Sequence, residues 1–277
     1  METPDQLPRE VSDAIDAART RLGPFHRLHY YRDVGSTNDI ALAVAAAGAV
    51  EGTAVLADHQ RAGRGRMGRT WFSPPGAGLY LSAIVRPGSA DWLSLTTLAA
   101  GVAVARALVM VSALPIGLKW PNDLVIGQPW RKIGGVLCES SGSGAEIDAL
   151  VVGIGVNLDL ASTPPELAAV ATSVEAELGR PVDRWRVVVE VLAELHGLLA
   201  RLRAGDRAWV CDEWRRFGRA GLLGARVRWD DQGIERTGLA RDLDETGALL
   251  VESAGKVERL IAGDVRWDRP GVGRERS

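Results

Sequence analysis

Cysteine is almost missing from this chain of 277 residues, occurring only as Cys138 and Cys211. Two cysteines cannot staple a disulfide scaffold and suit a reducing cytosol. Each reads as a small core residue rather than a nucleophile. Histidine is scarce as well. His26, His29, His59 and His196 show no metal-ligand spacing, so no structural zinc is expected. Neither sign of charge dominates: 33 Lys and Arg face 35 Asp and Glu, for a net charge of −2. Without an overall positive field to release counterions, bulk nucleic-acid binding is excluded and no DNA partner is expected. The start, Met1 to Asp5, lacks the basic and apolar regions of a secretory signal, so the expected location is the cytoplasm. A single long apolar stretch, Leu93 to Leu118, is interrupted by Arg106 and Ser112 and closed by Pro115. It reads as a buried helix over Leu95 to Met110, not a membrane span. No internal repeat is found.

What is present is a core-forming composition with one local basic feature. Apolar residues make up 46% and charged residues 25% of the chain, enough for one large domain and a small one. The basic feature is Gly63-Arg64-Gly65-Arg66-Met67-Gly68-Arg69, followed by Thr70-Trp71. Glycines let bare N–H groups approach a ligand, and arginines offer planar charged forks that match carboxylate and phosphate oxygens. The flexible loop they form is suited to an anion. It also spells G-x-G-x-x-G, but a dinucleotide fingerprint must open a helix, and Ser73-Pro74-Pro75-Gly76 cannot continue one. A kinase-type phosphate loop is excluded by the missing Gly-Lys-Ser/Thr.

Around this loop the chain reads as alternating strands and helices. Residues 1–24 are a loose lead with one helix around Val11, Ile15 and Ala18. Strands are expected at Leu28 to Val34, Thr53 to Asp58, Gly78 to Val85, Gly117 to Trp120 before a Pro121-Asn122-Asp123 turn, Leu124 to Ile126, Lys132 to Glu139 and Ile147 to Val152. Gly153-Ile154-Gly155-Val156-Asn157 continues the last, and its two glycines signal close approach of a ligand or another backbone. Helices are expected over Ile40 to Ala47, 165–178, 184–204 and 206–217. Ser36 with Asp39 resembles a capping box, and the hydroxyl, hydroxyl and amide of Ser36-Thr37-Asn38 equally make a polar ligand cradle. Beyond Gly218-Arg219-Ala220-Gly221 short strands at close spacing read as a β-barrel of about 45 residues, and the tail after Trp267 as disordered. The expected units are therefore 1–220, 221–268 and a 269–277 tail.

Five motifs occur in the order seen in biotin protein ligases: Ser36-Thr37-Asn38 with Gln60, the arginine–glycine run with Trp71, Lys119-Trp120-Pro121-Asn122-Asp123, Lys132-x-Gly134-Gly135, and Gly153 to Asn157. Any one is weak; five in order with compatible spacing over residues 28–267 are strong. The chain departs from the family at Gly134, usually alanine, and at Met67, often basic or histidine. The resemblance implies an α+β fold in which a mixed central sheet is flanked by helices, like a class II aminoacyl-tRNA synthetase, plus a C-terminal SH3-like barrel. It implies ATP and Mg²⁺ as cofactors and biotin as substrate. Biotinyl-5′-AMP forms first, and biotin then passes to a lysine of a biotin carboxyl carrier protein, or of the carrier domain of an acyl-CoA or pyruvate carboxylase. It implies Arg64, Arg66 and Lys132 as catalytic residues. The biotin contacts would be Ser36, Thr37, Asn38, Gln60, Gly63, Arg64, Gly65, Arg66, Met67, Lys132, Gly135, Leu137 and Gly155. The adenylate contacts would be Arg66, Arg69, Trp71, Lys119, Asn122 and Asn157. Regulatory members add an N-terminal DNA-binding domain, for which the first 24 residues leave no room. A monomer or weak homodimer is expected. Two other readings remain open: a lipoate ligase or acyltransferase on the same fold, and a non-enzymatic sensor of the adenylate.

Overall fold

Eight residues from Gly78 to Val85 are buried on both faces, as befits a strand at the centre of a sheet. In the computed structural model, which describes residues 2–87, 92–142, 147–159, 164–218, 224–261, 263 and 265–267, this strand (β3) is third in a sheet of seven. The sheet also contains β1 (Arg27–Val34), β2 (Thr53–Gln60), β4 (Gly117–Lys119), β5 (Asp123–Ile126), β6 (Arg131–Ser141) and β7 (Ala149–Asn157), in the order β1-β2-β3-β7-β6-β5-β4. β1 and β2 are parallel and the other pairs antiparallel, so the sheet is mixed.

The two faces of the sheet are covered differently. Helix α2 (Thr37–Ala46) is the crossover between β1 and β2, and packs Ala41 and Ala45 against Tyr31, Val55, Ile84 and Val151. The opposite face carries α1 (Arg9–Leu22), α3 (Trp92–Ser112), α6 (Arg184–Arg203) and α7 (Arg207–Phe217). The helix expected around Val11, Ile15 and Ala18 is α1; it buries those residues and Leu22 against the core. Helix α3 is long and apolar enough to cross a membrane, but 67% of its most apolar window is buried inside the protein.

A charged knot ties α3, α6 and α7. Arg106 donates to Glu194 (2.6 Å) and Glu213 (2.9 Å), and the Glu213 side chain is only 7% exposed. Arg106→Ala leaves that carboxylate with Arg216 alone. Breaking a pair with one deeply buried partner costs about 3 kcal/mol. The expected result is a fall of that size in unfolding free energy by urea titration; an unchanged midpoint would show that the knot contributes nothing.

The helix expected over 165–178 is broken in two: α4 (Pro165–Ala168) and α5 (Val174–Leu178). Between them the backbone is used otherwise. Lys132 N–H donates to the Val170 carbonyl and Thr172 N–H to the Lys132 carbonyl, both at 2.9 Å, and Ser173 caps α5 by accepting from Ala176 N–H. The capping box at Ser36 and Asp39 does not form either. Ser36 is the N-cap residue but its side chain makes no cap bond, and Asp39 pairs with an arginine instead.

After residue 223 come β8 (Arg226–Asp231), β9 (Ile234–Leu243), β10 (Leu249–Ser253), β11 (Lys256–Leu260) and β12 (Arg266–Trp267), an antiparallel SH3-like sheet in the order β11-β10-β9-β8-β12. Trp120, 2% exposed, donates from its indole to the Gly247 carbonyl (3.0 Å), and the Trp267 indole donates to the Trp120 carbonyl (3.3 Å). The C-terminal sheet is thus fastened to the first. The junction at 219–223 and the tail after 267 lie outside the described residues.

Candidate active site

The cavity of about 630 Å³ lies on the α2 face of the large sheet, where the strands lose their side chains. Register explains the hollow. Ser82, Gly153 and Leu137 face one another across β3, β7 and β6; two residues along, Tyr80, Gly155, Gly135, Asp123 and Lys119 form the next row on the same face. Successive rows are about 7 Å apart. A side chain on Gly153 would lie 2.3 Å from Asn38 Oδ1, and one on Gly155 would lie 2.6 Å from the Trp71 indole nitrogen. The glycines therefore make room for one side chain each: Asn38 over the first row and Trp71 over the second. Gly155→Ala should force Trp71 away at about 1–3 kcal/mol of overpacking. The expected outcome is a fall in affinity for cavity ligands of about 5- to 150-fold, read by calorimetry; unchanged binding would mean that Trp71 has room to retreat.

The arginine–glycine loop closes over this floor as a hairpin. Gly65 N–H donates to the Arg69 carbonyl (2.7 Å), Trp71 N–H to the Gly63 carbonyl (2.8 Å), and Arg64 bridges to Thr70. Met67 (φ 57°) and Gly68 (φ 70°) turn the tip through the left-handed region, and Arg66–Gly68 forms only a short 3-10 turn. No phosphate-binding helix follows, as expected.

Seventeen of the eighteen residues expected at a site line this one cavity; Gly63 alone does not. A Cβ at Gly63 would sit 2.5 Å from the Trp71 carbonyl, so it is glycine to let the hairpin close. At one end, Thr37 donates from its N–H (2.9 Å) and hydroxyl (3.0 Å) to Gln60 Oε1, and Gln60 Nε2 donates to Ser73. Ser36, Thr37 and Asn38 are all at least 95% buried. Toward the other end, Lys132 Nζ lies 2.5 Å from Asp123 Oδ1 and 5.3 Å from the Trp71 ring centre, with Lys119 4.0 Å from the same carboxylate. Arg66 donates to Asn122 Oδ1 and to the Gly263 carbonyl, both at 3.3 Å. Asn122 in turn donates to the Val136 carbonyl and Asn157 to the Thr172 carbonyl. Exposed Arg69 and Met67 stand at the rim.

Arg64 is engaged away from this charge cluster. Its fork holds Asp39 at 2.7 and 2.6 Å and reaches Glu139 at 3.5 Å. Those bonds raise its own pKa and hold Asp39 below the usual carboxylate range. Burial pushes the Cys138 thiol up to about 11, which keeps it protonated. Sequence reading missed the C-terminal wall, Val265, Arg266 and Trp267, and also Ser82 and Glu139 beneath Asn38. Ser82 had a signal: it is the one small polar side chain in a strand otherwise made of glycine, aliphatic residues and a tyrosine.

Two family models match the chain: the Biotin/lipoate A/B protein ligase family over residues 31–157, and the Biotin protein ligase C terminal domain over residues 222–266. The biotin–[acetyl-CoA-carboxylase] ligase of Mycobacterium tuberculosis is 36% identical over 252 residues, spanning 87% of this chain and 89% of the relative. The chain belongs to the biotin protein ligase family. The Paracoccus denitrificans ligase of the same name is 34% identical, covering 83% of this chain and 96% of its own. Among solved structures, biotin protein ligase from Aquifex aeolicus in complex with biotin and ATP superposes with a TM-score of 0.73 at 29% identity, over 88% of this chain and 99% of that one. The C-terminal match is to a domain named for biotin protein ligases, and the relatives above are biotin ligases rather than lipoate ligases.

Proposed function

We propose that this cavity is the shared biotin and ATP site of a ligase that forms biotinyl-5′-AMP, releases pyrophosphate, and passes biotin to a lysine of a carrier protein of biotin-dependent carboxylases. The observation that carries this reading is the separation of polarity within one cavity. Thr37, Asn38 and Gln60 offer neutral hydrogen-bond groups at one end, and Lys119, Lys132 and Arg66 offer cations at the other, with Trp71 lying between. A ligand with a polar neutral head, an apolar middle and an anionic tail fits that order.

Thr37, Asn38 and Gln60 then hold the ureido ring, and Trp71 covers the thiophane ring against Gly155. Lys132 meets the biotin carboxylate and draws electron density from its acyl carbon. Arg66, between Asn122 and Gly263, cancels repulsion between that carboxylate and the α-phosphate and holds them in line. As the carboxylate oxygen bonds to phosphorus, the bond to the departing pyrophosphate breaks. In the second step a neutral carrier amine attacks the acyl carbon, AMP leaves, and the amine gives up a proton. The described residues hold no group of three metal-binding side chains, but Asp123 and Asn122 present oxygen donors on the cavity wall. One carboxylate plus substrate phosphates is the donor set magnesium accepts. Asp123 would hold the ion, which would share the phosphate charge.

We also place the division between the two units near residue 220. Truncation there removes Val265, Arg266 and Trp267 from the cavity wall and uncovers Trp120. The expected result is a marked loss of transfer; full activity of the truncated chain would contradict it. The overall reading is tested by incubating the protein with biotin, ATP, Mg²⁺ and a biotin carboxyl carrier domain, then weighing the carrier. A mass gain of one biotinyl group, dependent on ATP, is expected. An unmodified carrier, or modification by lipoate or octanoate instead, would overturn it.

A further inference from the structure

We infer that Glu139 and Ser82, neither of which reaches the cavity, are positioning residues that lock the amide of Asn38 in one orientation and so set the hydrogen-bond polarity of the biotin end. The inference rests on the reading of that end as the ureido site.

Asn38 is gripped from opposite sides. Its Nδ2 donates to Glu139 Oε2 (2.6 Å) and to the Leu137 carbonyl (3.3 Å), groups that only accept when the carboxylate is ionised. Its Oδ1 receives the Ser82 hydroxyl at 2.5 Å. A flipped amide would point its oxygen at a carboxylate and a carbonyl, so the observed orientation is dictated by its surroundings. Sheet register assembles the grip: Ser82, Gly153 and Leu137 form one row under Asn38, and Glu139 follows Leu137 by two residues on the same face. Gly153 leaves the space the amide occupies.

The orientation propagates. The Thr37 hydroxyl proton goes to Gln60 Oε1, so the one Ser82 proton serves both Asn38 Oδ1 at 2.5 Å and Thr37 Oγ1 at 2.8 Å, and the shorter contact to Asn38 takes it. Gln60 Oε1 already accepts the Thr37 backbone N–H, which fixes that amide too. Turning Asn38 over would place a donor against Ser82, turn the Ser82 proton toward Thr37 Oγ1, and reverse what Asn38 presents to a ligand. Glu139 also reaches Arg64 Nη2 at 3.5 Å, so one carboxylate links the ureido end to the root of the arginine loop.

Loss of one charge-assisted contact should raise the KM for biotin about tenfold in Glu139→Ala. The KM for ATP and the kcat at saturating biotin should stay within about twofold. Desthiobiotin, which keeps the ureido ring and lacks the thiophane ring, should suffer the same rise as biotin. Glu139→Gln, which keeps an acceptor for Asn38 Nδ2, should recover most of the affinity. Ser82→Ala removes the opposite grip, and in this small truncation the same selective rise is expected; it carries the test alone if Glu139→Ala does not fold. A folded variant with unchanged biotin KM, or equal losses for biotin and ATP, would overturn the inference, because a merely structural role moves both substrates together. If the wild-type chain does not use biotin at all, the functional reading fails and not the positioning role alone.

Discussion

Lys132→Ala should depress pyrophosphate release by about 100-fold while leaving biotin binding within a few-fold of wild type. The ammonium is held rigidly. Its backbone is bonded on both sides to the 170–172 segment, its side chain runs over Gly135, and its charge sits between Asp123 and the face of Trp71. Removing one preorganised donor at a site of developing charge costs about 10²–10³ in rate. The variant also removes the 2.5 Å partner of Asp123 and leaves Lys119 at 4.0 Å from that carboxylate. The ureido contacts lie about one sheet row away, about 7 Å, which is why binding should survive. Single-turnover pyrophosphate release together with biotin calorimetry checks this. Normal release would reduce Lys132 to a charge at the end of a hairpin.

Arg66→Ala should act on retention rather than synthesis. Arg66 extends from the loop tip to Asn122 on one side and to Gly263 of the C-terminal segment on the other. It therefore joins the loop, the large sheet and the C-terminal wall across the cavity mouth. A charge-assisted contact is worth about 1.5–3 kcal/mol, so the adenylate should leak from the variant about 10- to 150-fold faster. The bonds to Asn122 and Gly263 are long and the loop closes through its own backbone bonds, so thermal stability of the free protein should hardly change. Trapping released adenylate separately from carrier labelling distinguishes the two steps. Equal leakage from variant and wild type, or a large drop in melting temperature, would contradict this role.

Much of the fold was legible because local pattern and tertiary context agree. Strand β3 needs no correction, since a run buried on both faces has no polar alternation to blur its ends. Helix α3 was legible because three interruptions in an apolar stretch distinguish a core helix from a span. The break between α4 and α5 was not legible: Val170 and Thr172 leave the helix to pair with Lys132, and no local signal announces a partner some 40 residues away. The same limit applies to the site. The residue types that handle anions were readable from the arginine–glycine run, and their gathering into one cavity follows from the register of β3, β7 and β6. The partners of those residues were not readable. Asp39 looked like half of a capping box, yet it is 25 residues from the Arg64 it holds, and Glu139 is 75 residues away. Which carboxylate meets which guanidinium depends on how strands align, and that is settled only when the sheet forms.

A crystal structure with a non-hydrolysable biotinyl-adenylate analogue addresses the central claim most directly. The analogue is expected in the cavity with its ureido ring against Thr37 and Asn38, its acyl–phosphate link between Lys132 and Arg66, and Trp71 along its middle. An analogue bound outside this cavity, or lying with its ureido ring at the Lys119 end, would contradict the assignment of the site.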